Sequence, residues 1–225
     1  MNAVVYYSNS NQSYKIAKYL SYKSSYNLVN LKFNDNYVFN NLILVFPVYC
    51  QNIPDEVKKF VKNIEVKNIS IISTYGRKSF GNVVYEVAKL NNMNVISYGY
   101  IPTKHTYIKN DKEFSDYKKL DDIVEKFKTP SCIKIKRYFK NPFANIFMLK
   151  RSQFNIKIIK TNNCNDCTLC NEICSNISKG EISNNCIRCL KCVDFCPKNA
   201  LIIRKSLLLK VYLKLFNKNK LVIKI

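Results

Sequence analysis

The sequence predicts an α/β protein: a doubly wound parallel sheet of five strands, followed by a small α+β domain organised by cysteines. Three observations predict it. Five short apolar runs alternate with stretches of helical periodicity across residues 1–128, and that alternation is the signature of a parallel sheet covered by helices on both faces. Eight of the ten cysteines fall between Cys164 and Cys196, in two runs of identical spacing. Between the two patterns, residues 129–160 carry eight Lys/Arg, two prolines and no acid, which suits a crossing between domains better than a core. The expected divisions are 1–128 for the sheet, 129–158 for a basic linker, 159–204 for the cysteine domain and 205–225 for a basic amphipathic tail.

The elements follow in order. Residues 3–7 (AVVYY) form the first strand, and the polar cluster at 8–13 ends it. A helix starts at Ser13 and turns Ile16, Ala17, Tyr19 and Leu20 inward. Residues 26–32 offer the second strand. Residues 42–46 (LILVF) are a continuous apolar run, as expected for a strand buried on both faces, and Pro47 closes it. The next helix, 54–64, has Pro54 at its start and Asp55 and Glu56 in its first turn, where the helix dipole favours acids. Its stripe is Val57, Phe60, Val61 and Ile64. A strand at 69–74, a helix at 81–90, a strand at 94–100 and a helix at 116–128 complete this half.

The formal charge is +22, and it is uneven: residues 1–128 hold 18 Lys/Arg against 11 acids, residues 129–225 hold 19 against 4. Such a balance favours acidic protein partners, nucleic acid or an anionic membrane surface. A Lys-, Asn- and Tyr-rich composition with only five arginines competes with that reading. No nucleic-acid motif accompanies the charge, so no specific nucleic-acid partner is expected. No basic-then-apolar leader opens the chain and no apolar run reaches the length of a membrane span. Clustered cysteines argue against a disulfide scaffold, and the reducing cytoplasm is the expected compartment.

The cysteine runs read CNDCTLCNEIC and CIRCLKCVDFCP, each Cys-x2-Cys-x2-Cys-x3-Cys. Thiolates are soft ligands suited to iron and sulfide, and a four-iron cube takes four of them. Three at i, i+3 and i+6 wrap one cluster, and the fourth serves the other. One cluster is therefore expected on Cys164, Cys167, Cys170 and Cys196, the other on Cys186, Cys189, Cys192 and Cys174. Zinc is the competing reading, but zinc sites are built from separated Cys-x2-Cys pairs and need no third cysteine at that spacing. The segment resembles a bacterial-type ferredoxin domain with two [4Fe–4S] clusters. It departs in one place: that family has proline after the fourth cysteine of both runs, and here Pro197 follows Cys196 but Ser175 follows Cys174.

The loop Ser8, Asn9, Ser10, Asn11, Gln12, Ser13 lies between the first strand and the first helix, where backbone N–H groups and hydroxyls suit a phosphate. It resembles the Ser/Thr-x-Thr-Gly-Asn-Thr/Ser phosphate loop of flavodoxins. Hydroxyls stand at Ser8, Ser10 and Ser13, while Asn9 and Asn11 replace the glycines. Pro47, Val48 and Tyr49 follow the third strand, and Tyr75 and Gly76 follow the fourth, at the carboxyl ends where a doubly wound sheet binds its ligand. In this combination, residues 1–204 resemble the EFR1-type ferredoxin family, in which a flavodoxin-like domain is fused to a C-terminal two-cluster ferredoxin. The resemblance implies FMN, with its isoalloxazine between loops 47–52 and 74–81 and with Tyr49 and Tyr75 as stacking candidates.

The remaining singled-out residues carry less. His105, the only histidine, reads as a solvated loop residue, Cys50 as an inert thiol, and Cys132 has no assigned role. The tail repeats Leu207, Leu208, Val211, Tyr212 and Leu215 at helical spacing with Lys210, Lys214, Lys218 and Lys220 between. It suits packing on its own protein, an anionic membrane or a partner. The expected function is an electron carrier passing electrons between FMN, two clusters and an acidic protein partner. The rivals are a flavin-dependent reductase of a small acceptor, and a ferredoxin whose first half has lost FMN. No catalytic residue is assigned.

Overall fold

A computed structural model describes residues 1–31, 37–145 and 148–225. The first apolar runs become parallel strands: β1 (Asn2–Tyr6), β2 (Asn27–Asn30), β3 (Tyr37–Pro47), β4 (Ile64–Tyr75) and β5 (Val95–Pro102). Between them lie helices α1 (Gln12–Ser24), α2 (Asp55–Lys62) and α3 (Val83–Leu90), and after β5 comes α4 (Asp121–Glu125). The strands are hydrogen-bonded in the order β5-β4-β3-β1-β2, all parallel.

Side chains alternate across the sheet, as a period of two requires. Val4, Ile43, Val45, Ile72 and Ile101 point to the face covered by Ile16, Ala17 and Leu20 of α1 and Ile123 of α4. Ala3, Val5, Leu42, Leu44, Phe46 and Ile71 point to the face covered by Val57, Phe60 and Val61 of α2 and Val83, Val84 and Val87 of α3. The helix expected at 116–128 is shorter, a 3-10 turn over Tyr117–Leu120 running into α4. Lys32, at the end of the second expected strand, lies outside the described residues.

The stretch expected as a linker is held against this unit as far as Ala144. Ile133, Ile135 and Tyr138 pack on the α2/α3 face. The amide of Ile133 donates to the carbonyl of Val95 at 2.9 Å, Tyr138 N–H to Asn82 Oδ1 at 3.1 Å, and Asn52 Nδ2 to the carbonyl of Ala144 at 2.8 Å. A 3-10 turn then covers Pro142–Asn145 and α5 (Met148–Asn155) follows; Ile146 and Phe147 lie outside the described residues.

The second unit is Asn145–Asn217. After α5 it contains β6 (Ile156–Lys160), α6 (Leu169–Ile173), β7 (Ile177–Ser178), β8 (Glu181–Ile182), α7 (Lys191–Phe195), β9 (Leu201–Lys205) and α8 (Leu207–Leu215). β6 and β9 pair antiparallel, Ile158 opposite Ile203. β7 and β8 form a hairpin whose turn residues Lys179 and Gly180 both have positive φ, at 45° and 80°, the backbone that two-residue hairpin turns favour.

The chain then returns to the first unit, which is Met1–Ala144 together with Lys218–Ile225. Its last strand, β10 (Val222–Lys224), pairs antiparallel with β5, Ile223 opposite Gly99. The sheet therefore has six strands where five were expected, and the expected tail at 205–225 is divided between the two units. Among the described residues no helix is long and apolar enough to cross a membrane.

Candidate metal centre and switch-point loops

The two cysteine runs share one backbone. Shifting the first by 22 residues lays Cys164 on Cys186 and α6 on α7. The residues on either side of the middle cysteine, Asp166 and Thr168 in one run and Arg188 and Leu190 in the other, all have φ between 53° and 65°. Left-handed backbone at non-glycine residues is costly and persists where the surroundings demand it. In both runs it curls the chain around the cysteines. The fourth cysteine of each run leaves its short helix in extended conformation, Cys174 at φ −158° and Cys196 at φ −70°. The difference falls where Ser175 stands in place of proline, since a following proline restricts the backbone before it.

The structure brings the cysteines together in two groups. Cys164, Cys167, Cys170 and Cys196 line one concavity, with Gly180 and Pro197 at its wall. Cys174, Cys186, Cys189 and Cys192 form the other group. Burial pushes the Cys192 thiol up to about 12, and its neighbours Cys189, Cys186 and Cys174 add to the shift. Burial likewise raises Cys189. Such thiols stay protonated in water and give up their protons on binding metal. Cys186 and Cys192 are buried, while Cys167 is exposed, so the first group lies nearer solvent. Among the described residues no three His, Cys, Asp or Glu side chains are close enough to hold a single ion between them.

Backbone amides reach sulfurs in both groups. Asn176 N–H donates to Cys174 Sγ, Arg188 N–H to Cys186 Sγ and Ala200 N–H to Cys196 Sγ, each at 3.4 Å. Bonds of this kind tune cluster potentials. The core beneath is small: Ile177, Cys192 and Leu201, with Ile158, Ile173 and Val193 against them. Lys160 Nζ pairs with Asp166 Oδ1 at 2.7 Å, which holds the Asp166 carboxyl below its ordinary range. Gly180 suits its φ of 80°, and the Lys160 side chain packs close over it. An added Cβ would lie 3.0 Å from Lys160 Cδ and 3.4 Å from Cys164 Sγ.

At the sheet, the loop 8–13 sits over the carboxyl end of β1, beside the point where the strand order reverses. Asn11 caps α1 at φ 60°, in the left-handed conformation that glycine would take, and no side chain caps the helix. The first turn of α1 carries no acid. Ser8 Oγ is buried with no hydrogen-bond partner among the described residues. Uncapped amides, a positive helix end and an unsatisfied buried hydroxyl fit a phosphate. Ser13 is placed differently: it is buried and its Oγ is 2.8 Å from Thr74 Oγ1. Ser10 and Gln12 lie in the same loop, half-buried and at the helix start.

The two loops expected to flank a ring lie against each other. Val48 N–H donates to the carbonyl of Thr74 at 2.8 Å, just after Pro47 ends β3. Tyr49 and Asn52 exchange backbone bonds around Cys50 and Gln51, both at positive φ. Gly81, at φ 61°, leaves no room for a Cβ against Gln51, whose Cβ and carbonyl oxygen would lie 2.7 and 2.8 Å away. Asn9 Nδ2 donates to the hydroxyls of Tyr7 at 3.0 Å and Tyr49 at 2.9 Å, joining the phosphate-type loop to the Tyr49 loop.

Tyr75 is a correction to the expected stacking pair. It is 2 % exposed, its ring packs edge-on against Phe80 at 5.1 Å, and no face is left for a ligand. Gly76 is in contact with His105, whose Cδ2 would lie 2.7 Å from an added Cβ. Rather than a solvated bystander, His105 is half-buried and built into the loop, with its N–H donating to Asp111 Oδ2 at 2.7 Å and its Nδ1 accepting from Tyr107 N–H at 3.1 Å.

Two residues that hold these loops were not singled out from the sequence. Arg77 Nη1 pairs with Asp111 Oδ1 at 3.0 Å, both largely buried, and Arg77 Nε donates to Asn219 Oδ1 at 3.0 Å. One guanidinium thus ties the loop after β4 to the loop after β5 and to the C-terminal segment. The pairing joins residues 34 and 142 apart in sequence, and no local pattern announces it.

Residues 182–202, which include Cys186, Cys189, Cys192 and Cys196, match the family model for the 4Fe-4S binding domain. No curated protein matches the chain. The match supports 4Fe–4S cluster binding in the cysteine region and iron–sulfur electron transfer as its chemistry.

Proposed function

We propose that the protein is an electron carrier with two [4Fe–4S] clusters in its second unit and FMN on a flavodoxin-like first unit, a fusion of the EFR1 type. The carrying observation is the 22-residue backbone repeat that gathers eight cysteines into two groups of four. On this reading Cys164, Cys167, Cys170 and Cys196 hold one cluster, and Cys174, Cys186, Cys189 and Cys192 the other. The strand order 2-1-3-4-5 and the covered faces support a flavodoxin-like sheet. Bound flavin exchanges electrons in pairs or singly and bound clusters exchange them singly, so the protein supplies position and potential.

The FMN assignment rests on Ser8 Oγ and the uncapped start of α1. Ser8, Ser10, Asn11 and the amides of Gln12 and Ser13 hold the phosphate, and Tyr49, not Tyr75, is the aromatic available to the ring. A basic surface steers an acidic protein partner, and the reducing cytoplasm keeps the eight thiols available to iron.

A second reading keeps the clusters and drops the flavin. It is favoured by the buried Tyr75 and by the contact of Gly81 with Gln51, which close part of the expected ring site. One anaerobic preparation assayed for iron, acid-labile sulfide and FMN separates them. About eight iron and eight sulfide per chain with one FMN is expected. Iron without flavin selects the second reading, and zinc in place of iron overturns both.

A further inference from the structure

The helix α8 presents an apolar surface that is exposed among the described residues. At 100° per residue, Leu207, Leu208, Val211, Tyr212 and Leu215 fall within an arc of about 140°. Leu207, Leu208 and Leu215 are 77 %, 69 % and 70 % exposed. Leu209 and Leu213, on the opposite side, are the half-buried residues of the helix. Lys210 and Lys214 lie along one border of the arc and both are exposed. Ser206 caps the helix through its side chain, accepting from Leu209 N–H at 3.1 Å. The start of the helix is therefore capped while its apolar face is exposed. Tyr212 and Phe216 stack at its end, ring centroids 5.0 Å apart.

We infer that α8 docks the protein on an anionic lipid surface, lying in the plane of the interface. An apolar arc bordered by lysine, with an aromatic at its end, is the pattern of interfacial helices. Aromatic rings with one polar tip suit the headgroup level. Within its own unit, residues 204–217 hold four positive charges, Arg204, Lys205, Lys210 and Lys214, and no acid. Basic residues beside a membrane are drawn to its negative surface potential. The same charge pattern disfavours a second copy as occupant. Two such helices face to face would bring lysines together with no acid to pair them. The inference goes beyond electron transfer and does not depend on which cofactors are bound.

The test is co-sedimentation of the full-length, cluster-loaded chain with two kinds of vesicle, phosphatidylcholine alone and phosphatidylcholine with phosphatidylglycerol. Binding to the second kind, weakened by salt, and little to the first is expected. The variant Leu208→Gln/Leu215→Gln changes only exposed side chains, and unchanged iron content checks that it folds. It should bind the anionic vesicles at least about tenfold more weakly. Equal binding by wild type and variant would mean that charge alone attracts the protein, and would overturn the inference. So would failure of the wild type to bind either vesicle, including the case in which it forms a dimer that the variant abolishes.

Discussion

The phenol of Tyr75 and the backbone of Lys220 hold each other across 145 residues of sequence: the hydroxyl donates to the Lys220 carbonyl at 2.6 Å and accepts from the Lys220 N–H at 2.9 Å. The carbonyl of Lys218 lies 2.8 Å from the same hydroxyl. One buried side chain therefore anchors the segment that leads into β10. Tyr75→Phe removes both bonds, each worth about 0.5–1.5 kcal/mol net, so the loss is about 1–3 kcal/mol. Urea unfolding should show that loss, and amide exchange should rise first at Val222–Lys224. Unchanged protection there would show that strand pairing alone holds β10.

Alkaline pH should act on the same region. Burial pushes the hydroxyls of Tyr75 and Tyr138 up to about 12, and raises Tyr100 as well. The folded state thus keeps protons that the unfolded chain loses near pH 10. Stability from these groups is complete below about pH 10 and falls as pH rises through 12. Lys78 and Lys218, lowered by burial, and Tyr85, lowered by Lys89, work in the opposite direction, but burial raises Tyr6, Tyr26 and Tyr117 as well, so the raised tyrosines outnumber them. Thermal midpoints measured upward from pH 9 should decline, and less steeply in Tyr75→Phe.

The cysteine grouping predicts cross-pairing between the runs. Cys174→Ala should lose the cluster of Cys186, Cys189 and Cys192, and Cys196→Ala that of Cys164, Cys167 and Cys170. Each variant keeps about half of the iron. Cys164→Ala/Cys196→Ala should then resemble either single variant, while Cys174→Ala/Cys196→Ala should lose nearly all. Iron and sulfide assays decide it; a Cys164→Ala/Cys174→Ala double that still keeps half would refute the assignment.

Ser8 and Ser13 should separate ligand binding from stability. Ser8→Ala removes a buried hydroxyl with no partner among the described residues, so the flavin-free chain should be as stable or more so. Its FMN affinity, followed by fluorescence titration, should fall roughly 10- to 100-fold, the worth of a bond to a charged group. Ser13→Ala loses the bond to Thr74 and should cost about 1 kcal/mol of stability. Equal flavin affinity in wild type and Ser8→Ala would remove Ser8 from the site.

Periodicity carried most of the sheet and its helices. The runs at Val4, Ile43 and Ile71 are continuous because both faces of those strands are covered, and spacing carried the cysteine runs. The strand β10 was hidden because three residues make it, its partner lies some 120 residues earlier, and the lysines around it read as one basic tail. The inward pair Ile133 and Ile135, alternating with Lys134 and Lys136, was a period-two signal outweighed by net charge. Tyr75 misled for another reason. A tyrosine at the end of a strand serves equally as a ligand platform and as a core ring with one polar bond. Only the return of Lys220 distinguishes the two.

The return of the chain also fixes an order of events at the ribosome. β5 ends at Pro102 and its antiparallel neighbour begins at Val222. Synthesis proceeds at about 5–20 residues per second, so roughly 6–24 s separate the two. Throughout that interval the stretch of β5 at Tyr98–Tyr100, which β10 later pairs, is an open edge, the kind of template on which nascent chains aggregate. Within it, too, the whole cysteine unit is made. A delay in making the second unit therefore lengthens the time for which the N-terminal unit, which holds no cluster cysteine, keeps that edge.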